Sequence, residues 1–277
     1  MRTIGDAERT GLVAEYHQRG FGYVRAMFDD DELAPLAASL VDGSAPGAFA
    51  VTDSLGGKQE LSVWLDLADD LIGIIPRLEP IVALAEAVVG GPVYHWHSKL
   101  SWKRPRATSL WDWHQDYAFW KENGIDRPDM CTIAIAVGPV TEANGCMRLV
   151  PESHRLGALP VVEVGESQGT DPAAVDEALA AHPAELCELD PGDFVVFHSN
   201  TLHSSGPNLS EVPRTMLMMS YNAVANAPTA ALHPGYELDD LAVLPADALA
   251  SGWTEVFGAT AFVDPAAEGL DQGYDTE

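Results

Sequence analysis

The second half of the chain is divided into short segments rich in β-branched and aromatic residues. Signals for tight turns, such as Asn144-Gly145 and Pro191-Gly192-Asp193, bound these segments. We predict strands over residues 93–103, 110–117, 130–137, 146–150, 193–198 and 215–223. Several short strands that follow a helical first half predict an α+β, mainly β fold, whose core is a jelly roll, or double-stranded β-helix.

The first part of the chain carries helical patterns instead, and we expect its helices to buttress the jelly-roll core. Asp29-Asp30-Asp31-Glu32 illustrates such a pattern, because acidic residues stabilise the positive end of a helix. Helices are predicted over residues 6–19, 29–40 and 80–89, and a strand is predicted over residues 21–28. Residues 43–58 are rich in Gly, Ser, Ala and Pro and are predicted to form a loop, either a lid over a site or a surface loop.

A length of 277 residues fits one domain of this class. We therefore expect residues 1–277 to form a single domain. It would comprise a helical part over about 6–90, a jelly-roll core over about 92–225 and a C-terminal extension over about 226–277. Residues 167–183 are polar and Ala-rich, which indicates a surface insertion with a short helix over about 173–181.

The net charge excludes some classes of partner. The chain carries 15 Lys and Arg against 42 Asp and Glu, a formal charge of −27. Such a charge repels phosphate backbones and anionic lipid, so we expect no nucleic-acid or membrane partner. The three cysteines contain no Cys-x-x-Cys pair, and no apolar core of signal-peptide length follows Met1. These features predict a cytoplasmic protein, either a monomer or a homodimer.

His114-Gln115-Asp116 and His203 carry the strongest chemical signal. Residues two apart on a strand point to the same side, so we expect His114 and Asp116 to share one face of the predicted strand. His203 follows the strand that the Pro-Gly-Asp turn opens. Two imidazoles and one carboxylate on one face of an iron leave the opposite face open, as in non-haem Fe(II) oxygenases.

Arg214 enters the next predicted strand eleven residues after His203. A dicarboxylate cosubstrate that chelates a metal through one end needs a planar, bidentate cation for its distant carboxylate, and arginine supplies one. A zinc hydrolase could use the same two histidines and aspartate, but it would leave Arg214 without a purpose.

The order His114-x-Asp116, His203, Arg214 resembles the phytanoyl-CoA dioxygenase family of Fe(II)- and 2-oxoglutarate-dependent oxygenases. The Pro151-Glu-Ser-His154 segment and the Pro-Gly-Asp turn support the resemblance, which covers about residues 6–225. The segment from Trp113 to Trp120 is similar to the metal-strand segment of the branch that contains ectoine hydroxylase. Residues 94–99 depart from that branch, which has a Gln-Ser-Arg segment there, so the substrate stays open.

The resemblance implies a cupin-like jelly roll that uses Fe(II), 2-oxoglutarate and O₂. It implies that His114, Asp116 and His203 bind the iron and that Arg214 binds the C5 carboxylate of 2-oxoglutarate. Ser205 and Trp120 match positions that line the pocket of the cosubstrate or substrate. We also assign Lys99 and Thr132 to cosubstrate binding, and His97, Gln115 and Tyr117 to substrate binding.

The expected activity is hydroxylation of a small or medium-sized metabolite that is amino-acid-like, ectoine-like or a natural-product intermediate. Related halogenases carry a small residue at the position of Asp116, so its carboxylate argues against halogenation. Desaturation, epimerisation and ring formation begin with the same hydrogen abstraction, and the sequence leaves these outcomes open. A non-catalytic metal-binding protein of the same fold is a further alternative, which the complete ligand set and Arg214 disfavour.

Overall fold

The computed structural model describes residues 1–40, 45–165, 167–228 and 241–264, and the backbone of 274–275. The helices are α1 (Asp6–Arg19), α2 (Asp30–Ser39), α3 (Leu71–Ile74), α4 (Glu79–Val89), α5 (Asp116–Trp120), α6 (Pro172–Ala181) and α7 (Ala248–Ser251). The strands are β1 (Phe21–Val24), β2 (Phe49–Thr52), β3 (Lys58–Trp64), β4 (Val93–Lys103), β5 (Trp111–His114), β6 (Met130–Ala136), β7 (Met147–Leu149), β8 (Val161–Val164), β9 (Ser167–Thr170), β10 (Glu185–Cys187), β11 (Phe194–His198), β12 (His203–Ser205), β13 (Arg214–Ala223) and β14 (Tyr274–Asp275).

Two antiparallel sheets form the jelly roll, which confirms the predicted fold class. The larger sheet has the strand order β1-β11-β6-β13-β4-β3-β2-β14, and the smaller has the order β10-β7-β12-β5. Side chains from both sheets, among them Phe197, Met216 and Leu149, share one buried cluster, so the inner faces of the sheets pack against each other. The strands β8 and β9 form a separate hairpin.

The helices of the first part cover the outer face of the larger sheet, as predicted. Ile133 of β6, Leu217 of β13 and Leu100 of β4 belong to the same buried cluster as residues of α1, α2, α3 and α4. The alternation of side chains on a strand then turns the neighbouring residues toward the interior of the jelly roll. This alternation separates an apolar outer layer from an interior that can hold polar groups.

The loop predicted over residues 43–58 is interrupted by a strand that the sequence did not predict. Phe49–Thr52 forms β2 and pairs with β3, which begins at Lys58, while residues 43 and 44 lie outside the described residues. The chain between these strands is a turn in which the Asp53 carboxylate accepts hydrogen bonds from the backbone N–H groups of Leu55 and Gly57. The Gly, Ser and Pro content of the segment predicts the turn correctly, but it does not predict the strand Phe49–Thr52 that precedes the turn.

One further predicted strand is shorter in the structure, and one predicted helix is confirmed. The strand predicted over residues 21–28 ends at Val24, because Ala26 adopts a positive φ of 47° and the chain leaves the sheet. The helix predicted over residues 173–181 is present as α6. In the described ranges, none of the helices has both the length and the apolar character needed to cross a bilayer.

Asp70 joins the C-terminal extension to the helical layer. Its side chain is 2% exposed, and Oδ1 accepts from the backbone N–H of Gly73 in α3 at 2.9 Å. The same carboxylate accepts from the backbone N–H groups of Gly258, Ala259 and Thr260 and from the Thr260 hydroxyl. One buried side chain therefore satisfies donors from two separate parts of the chain.

Replacing Asp70 with alanine should lower the free energy of unfolding by about 3 kcal/mol or more, because several buried donors lose their acceptor. Urea denaturation followed by circular dichroism measures the change. Asp69→Ala is the matched control, since the Asp69 side chain is 85% exposed and forms one ion pair with Arg77. Its cost should stay below about 1 kcal/mol. Equal costs for the two variants would contradict the assignment.

Candidate metal centre

Three side chains bring their ligand atoms together at one end of the smaller sheet. The strand β5 ends at His114, β12 begins at His203, and the two histidines are direct cross-strand partners. Asp116 is the first residue of α5. One ligand atom from each of the three lies within 4.8 Å of the others, and His114 Nε2 lies 3.8 Å from Asp116 Oδ1.

The predicted strand over residues 110–117 is too long, because the chain enters a helix at Asp116. Gln115 keeps an extended backbone, with φ −117° and ψ 128°, so the side chains of His114 and Asp116 still point to the same side. An aspartate in the first turn favours a helix start, since it faces the positive end of the helix.

Each histidine is oriented by a backbone carbonyl two residues earlier. His114 Nδ1 lies 2.8 Å from Asp112 O, and His203 Nδ1 lies 2.9 Å from Thr201 O. A carbonyl can only accept, so Nδ1 carries the proton and Nε2 is left as a free lone pair. Burial, reinforced by His203, lowers the pKa of His114 to about 3, and burial also lowers the pKa of His203. Both rings are therefore neutral, as metal ligation requires.

The Asp116 carboxylate is buried and ionised. Burial alone would raise its pKa, but nearby positive charge, above all that of Lys99, outweighs burial and holds that pKa below its usual value. The Thr132 hydroxyl donates to Asp116 Oδ2 at 3.4 Å and lies 2.9 Å from Ser220 Oγ. Thr132 thus supports the carboxylate. Two neutral imidazole nitrogens and one carboxylate oxygen form a donor set that fits Fe(II).

The strand β4 extends a row of polar side chains along the interior beside this set. Lys99 lies in that row, and its positive charge acts on Asp116. The ring of His97 lies 5.4 Å from the ring of Trp120. Burial lowers the pKa of His97 to about 3, with Lys99 adding to the effect. Of the residues selected from the sequence, Lys99 and His97 therefore lie on one strand close enough to act on Asp116, and Trp120 lies against His97.

Arg214 lies in the same interior and carries hydrogen-bonding capacity that the described residues do not use. Its Nη2 donates to Ser101 Oγ at 3.1 Å, and its Nη1 lies 3.7 Å from Met216 Sδ. Burial lowers the pKa of Arg214 to about 10. Within the described ranges, Arg214 Nε and Ser205 Oγ are buried without a hydrogen-bond partner. Buried polar atoms are normally paired, so these two fit an anionic ligand such as a carboxylate.

The contacts of Gln115 and Tyr117 contradict the substrate roles predicted for them. Gln115 is 0% exposed; its Nε2 donates to Gly157 O and Asn200 O, and its Oε1 accepts from the backbone N–H of Leu159. The Tyr117 hydroxyl donates to Asp126 O at 2.8 Å, and its ring is buried in an aromatic cluster. Both side chains hold backbone segments in place, which leaves their polar groups unavailable to a substrate.

The turn between β2 and β3 is bound directly to β5, a contact that the sequence did not predict. The Asp112 carboxylate accepts from the backbone N–H of Ser54 at 2.9 Å and from its hydroxyl at 2.5 Å. The Asp53 carboxylate accepts from the backbone N–H of Leu110 at 2.8 Å. Asp112 therefore binds the β2–β3 turn through its side chain and orients His114 through its carbonyl. The Asp-Ser-Leu-Gly-Gly sequence signalled a turn, but not what the turn contacts.

A groove of about 490 Å³ opens beside α5. The ring of Phe119, one of its lining residues, lies 6.2 Å from the ring of His114, although His114 itself does not line the groove. Apolar side chains line it together with Lys121 and Glu122, both of which are exposed. The lining residues are Ala118, Phe119, Lys121, Glu122, Ala158, Leu159, Pro160, Val161 and Gln168.

Comparisons with known sequences identify relatives over most of this region. The sequence profile of the phytanoyl-CoA dioxygenase (PhyH) family matches residues 16–216. L-proline trans-4-hydroxylase of Streptomyces griseoviridis is 32% identical over 198 residues, which are 65% of this chain and 74% of that protein. Ectoine dioxygenase of Bordetella parapertussis is 26% identical, over 80% of this chain and 78% of that protein.

Solved structures share the fold. The crystal structure of EctD from S. alaskensis with 2-oxoglutarate and 5-hydroxyectoine superposes with a TM-score of 0.71 at 20% identity, covering 88% of this chain and 89% of that chain. The epimerase SnoN from nogalamycin biosynthesis superposes with a TM-score of 0.65 at 23% identity, covering 86% and 94% of the two chains. At these identities the likeness concerns the fold.

Gln115→Leu should weaken the metal centre rather than a substrate contact. The variant removes an acceptor and two donors from buried backbone groups, which costs about 2–3 kcal/mol of stability. Because Gln115 lies between two ligands, we also expect a 10- to 100-fold loss of Co(II) affinity, as seen for residues that orient ligands. Titration with Co(II), followed by its visible absorption, measures this loss. Gln168→Leu, on the exposed hairpin strand β9, should change neither quantity, and an unchanged Co(II) affinity in Gln115→Leu would contradict the orienting role.

Proposed function

We propose that this chain, which belongs to the phytanoyl-CoA dioxygenase family and is an Fe(II)- and 2-oxoglutarate-dependent dioxygenase, hydroxylates a small, amino-acid-like metabolite. His114, Asp116 and His203 would hold the iron. One observation carries this proposal: a neutral pair of histidines with a buried carboxylate shares the jelly-roll interior with a buried arginine whose Nε–H has no partner among the described residues.

Separate groups of the protein would bind the cosubstrate and position the metal ligands. Bound iron with 2-oxoglutarate supplies the activation of O₂, which no amino-acid side chain provides. Arg214 would bind the C5 carboxylate of 2-oxoglutarate through its unpartnered N–H, with the Ser205 hydroxyl as a second donor. Thr132 holds Asp116, and the carbonyls of Asp112 and Thr201 fix the two rings, so the ligands need little rearrangement on binding. The burial of Asp116 and His203 excludes water from their side of the centre.

The groove beside α5 supports a substrate of amino-acid size. Its apolar walls would contact a carbon skeleton, and Lys121 and Glu122 supply one charge of each sign for a carboxylate and an ammonium group. Two relatives are named for L-proline and ectoine, both small metabolites. The formal charge of −27 disfavours a polyanionic thioester substrate. We therefore place the substrate in this groove, with the reacting carbon near Phe119 and the metal centre.

Anaerobic addition of Fe(II) and 2-oxoglutarate should produce a weak visible charge-transfer band, because the cosubstrate would chelate the iron. Asp116→Ala should lose the band and all substrate-dependent succinate release, since one of three ligands is missing. Asp126→Ala, an exposed carboxylate beyond α5, should keep both. A folded wild-type protein that binds the metal without producing the band would instead indicate a zinc hydrolase or a non-catalytic metal protein.

The outcome of the reaction is read from the product mass. Succinate release is screened with L-proline, ectoine and other free cyclic and acyclic amino acids, and the product of each active compound is weighed. A gain of one oxygen shows hydroxylation, a loss of two hydrogens shows desaturation or ring formation, and an unchanged mass shows epimerisation. Activity confined to acyl thioesters would overturn the proposed substrate class.

Val161→Trp should raise the substrate KM at least tenfold and leave the 2-oxoglutarate KM unchanged. Val161 lies at the exposed edge of the groove, so a larger side chain there fills substrate space without disturbing the core. Steady-state kinetics with the best substrate of the screen measure both constants. Val224→Trp adds the same bulk at an exposed position outside the groove and should change neither. A substrate KM that stays at its wild-type value in Val161→Trp would remove the groove from the binding site.

A further inference from the structure

The loop that leads from β11 to the metal ligand His203 is buried along its whole length. Its four residues, Ser199, Asn200, Thr201 and Leu202, are each 2% exposed or less. Buried loops are uncommon, because their backbone N–H and C=O groups lose contact with water and need partners within the protein. The partners of this loop therefore determine where the strand that begins with His203 lies.

The first half of the loop is attached to the start of β6 and to the end of β11. The backbone N–H of Ser199 donates to Met130 O at 3.2 Å, and its hydroxyl donates to Pro128 O at 3.1 Å. The backbone N–H of Asn200 donates to His198 Nδ1 at 2.9 Å. These hydrogen bonds fix the start of the loop but do not involve the two residues that directly precede the metal ligand.

Leu202, the residue directly before His203, is bound on both sides by the segment that contains Pro-Glu-Ser-His. Its backbone N–H donates to Ser153 Oγ at 2.9 Å, and its carbonyl accepts from the backbone N–H of Val150 at 3.0 Å. The Ser153 hydroxyl in turn donates to Val150 O at 2.6 Å. These hydrogen bonds form a closed ring, and the hydroxyl of Ser153, which is 1% exposed, takes part in two of them.

Thr201, whose carbonyl orients the ring of His203, is attached to the end of α1. Its hydroxyl donates to Gly20 O at 2.8 Å. Gly20 is the C-cap of α1 and has a φ of 89°, and a Cβ at this position would lie 2.8 Å from Thr201 Oγ1. The close approach between the end of the helix and the loop therefore depends on glycine.

The Pro-Glu-Ser-His segment is attached to the same end of α1. The backbone N–H of Glu152 donates to Arg19 O at 2.7 Å, and His154 Nε2 lies 3.2 Å from His17 O, so this ring nitrogen is the donor. Glu152 has a φ of 62°, which residues other than glycine rarely adopt and which persists only where the surroundings fix it. The segment and α1 therefore form one unit, to which both residues before the metal ligand are hydrogen-bonded.

We propose that Ser153 and Thr201 are positioning residues for the metal ligand His203. Their hydroxyls hold the backbone of residues 201 and 202, and the Thr201 carbonyl then keeps the proton on His203 Nδ1 and leaves Nε2 for the metal. The inference rests on the proposed function, in which His203 binds iron. It gives the Pro-Glu-Ser-His segment a role at the metal centre, although none of its side chains is a ligand.

The test compares three single substitutions in which a buried hydroxyl is lost and the side-chain volume changes little. Ser153→Ala and Thr201→Val remove the proposed contacts. Ser199→Ala is the matched control, since it lies in the same loop but its hydroxyl binds Pro128 O. We expect the Co(II) affinity, titrated through the visible absorption of the ion, to fall 10- to 100-fold in the first two variants and to stay within about twofold of the wild type in the control. Urea denaturation of the metal-free proteins measures the loss of stability that the three variants share.

A second measurement separates the orientation of one ring from a general loosening of the centre. In the Co(II)-loaded protein, the Nδ1–H proton of each histidine ligand gives an exchangeable resonance that the paramagnetic ion shifts away from all others. We expect one of the two resonances to exchange faster with solvent in Ser153→Ala and Thr201→Val. The other, from His114 with its hydrogen bond to Asp112 O, should keep its wild-type rate.

Wild-type Co(II) affinity in both Ser153→Ala and Thr201→Val, or an equal loss of affinity in Ser199→Ala, would overturn the inference. Equally faster exchange of both histidine resonances would do the same, because it indicates a loss of stability without a specific effect on His203. If Ser153→Ala does not fold, Thr201→Val decides, since valine keeps the shape of threonine. A folded wild type that does not bind Co(II) would instead contradict the proposed function.

Discussion

Charge inside the jelly roll has to be compensated within the protein or by its ligands, because little water reaches it. The carboxylate of Asp116 is compensated by Lys99 and by the metal that the ligand set fits. Among the residues that the structure describes, Arg214 hydrogen-bonds to neutral groups, the Ser101 hydroxyl and the Met216 sulfur. The interior therefore has a negative end that accepts a cation and a positive end that accepts an anion. A metal-chelating dicarboxylate is complementary to this arrangement along its whole length.

The two sheets keep this polar interior separate from the apolar core. Residues such as Ile133, Leu217 and Leu100 bury their side chains against the helices, while their neighbours face inward. Alternation along a strand thus lets one backbone serve both the core and the site. The metal-binding rings gain their orientation from backbone carbonyls, so the rigidity of the sheet passes directly to the ligand atoms.

The sequence predicted those parts of the fold and site that depend on local pattern or on residue chemistry. The helices α1, α2 and α4 follow from apolar spacing and from glycine or acidic residues at their ends. The ligand set was predicted because few side chains bind iron, and the geometry of His114, Asp116 and His203 agrees with that prediction.

What the sequence did not predict depends on contacts between distant segments. Gln115 and Tyr117 were assigned to substrate binding because they are adjacent to metal ligands in the sequence. Their true partners, Gly157, Asn200 and Asp126, become neighbours only in the folded chain. The attachment of Ser54 to Asp112 has the same character. The strand β2 was missed because glycine, serine and proline around it dominate the composition of the segment.

The hydrogen bonds of Gln115 also affect which residues around the groove can change during evolution. They bind the backbone carbonyl of Gly157 and the backbone N–H of Leu159, where one wall of the groove begins. The side chains at these positions take no part in the hydrogen bonds. Residues 158–161 can then be substituted over evolutionary time while the segment from His114 to Asp116 keeps its conformation. A laboratory library restricted to these positions would sample new specificities at low risk to the chemistry.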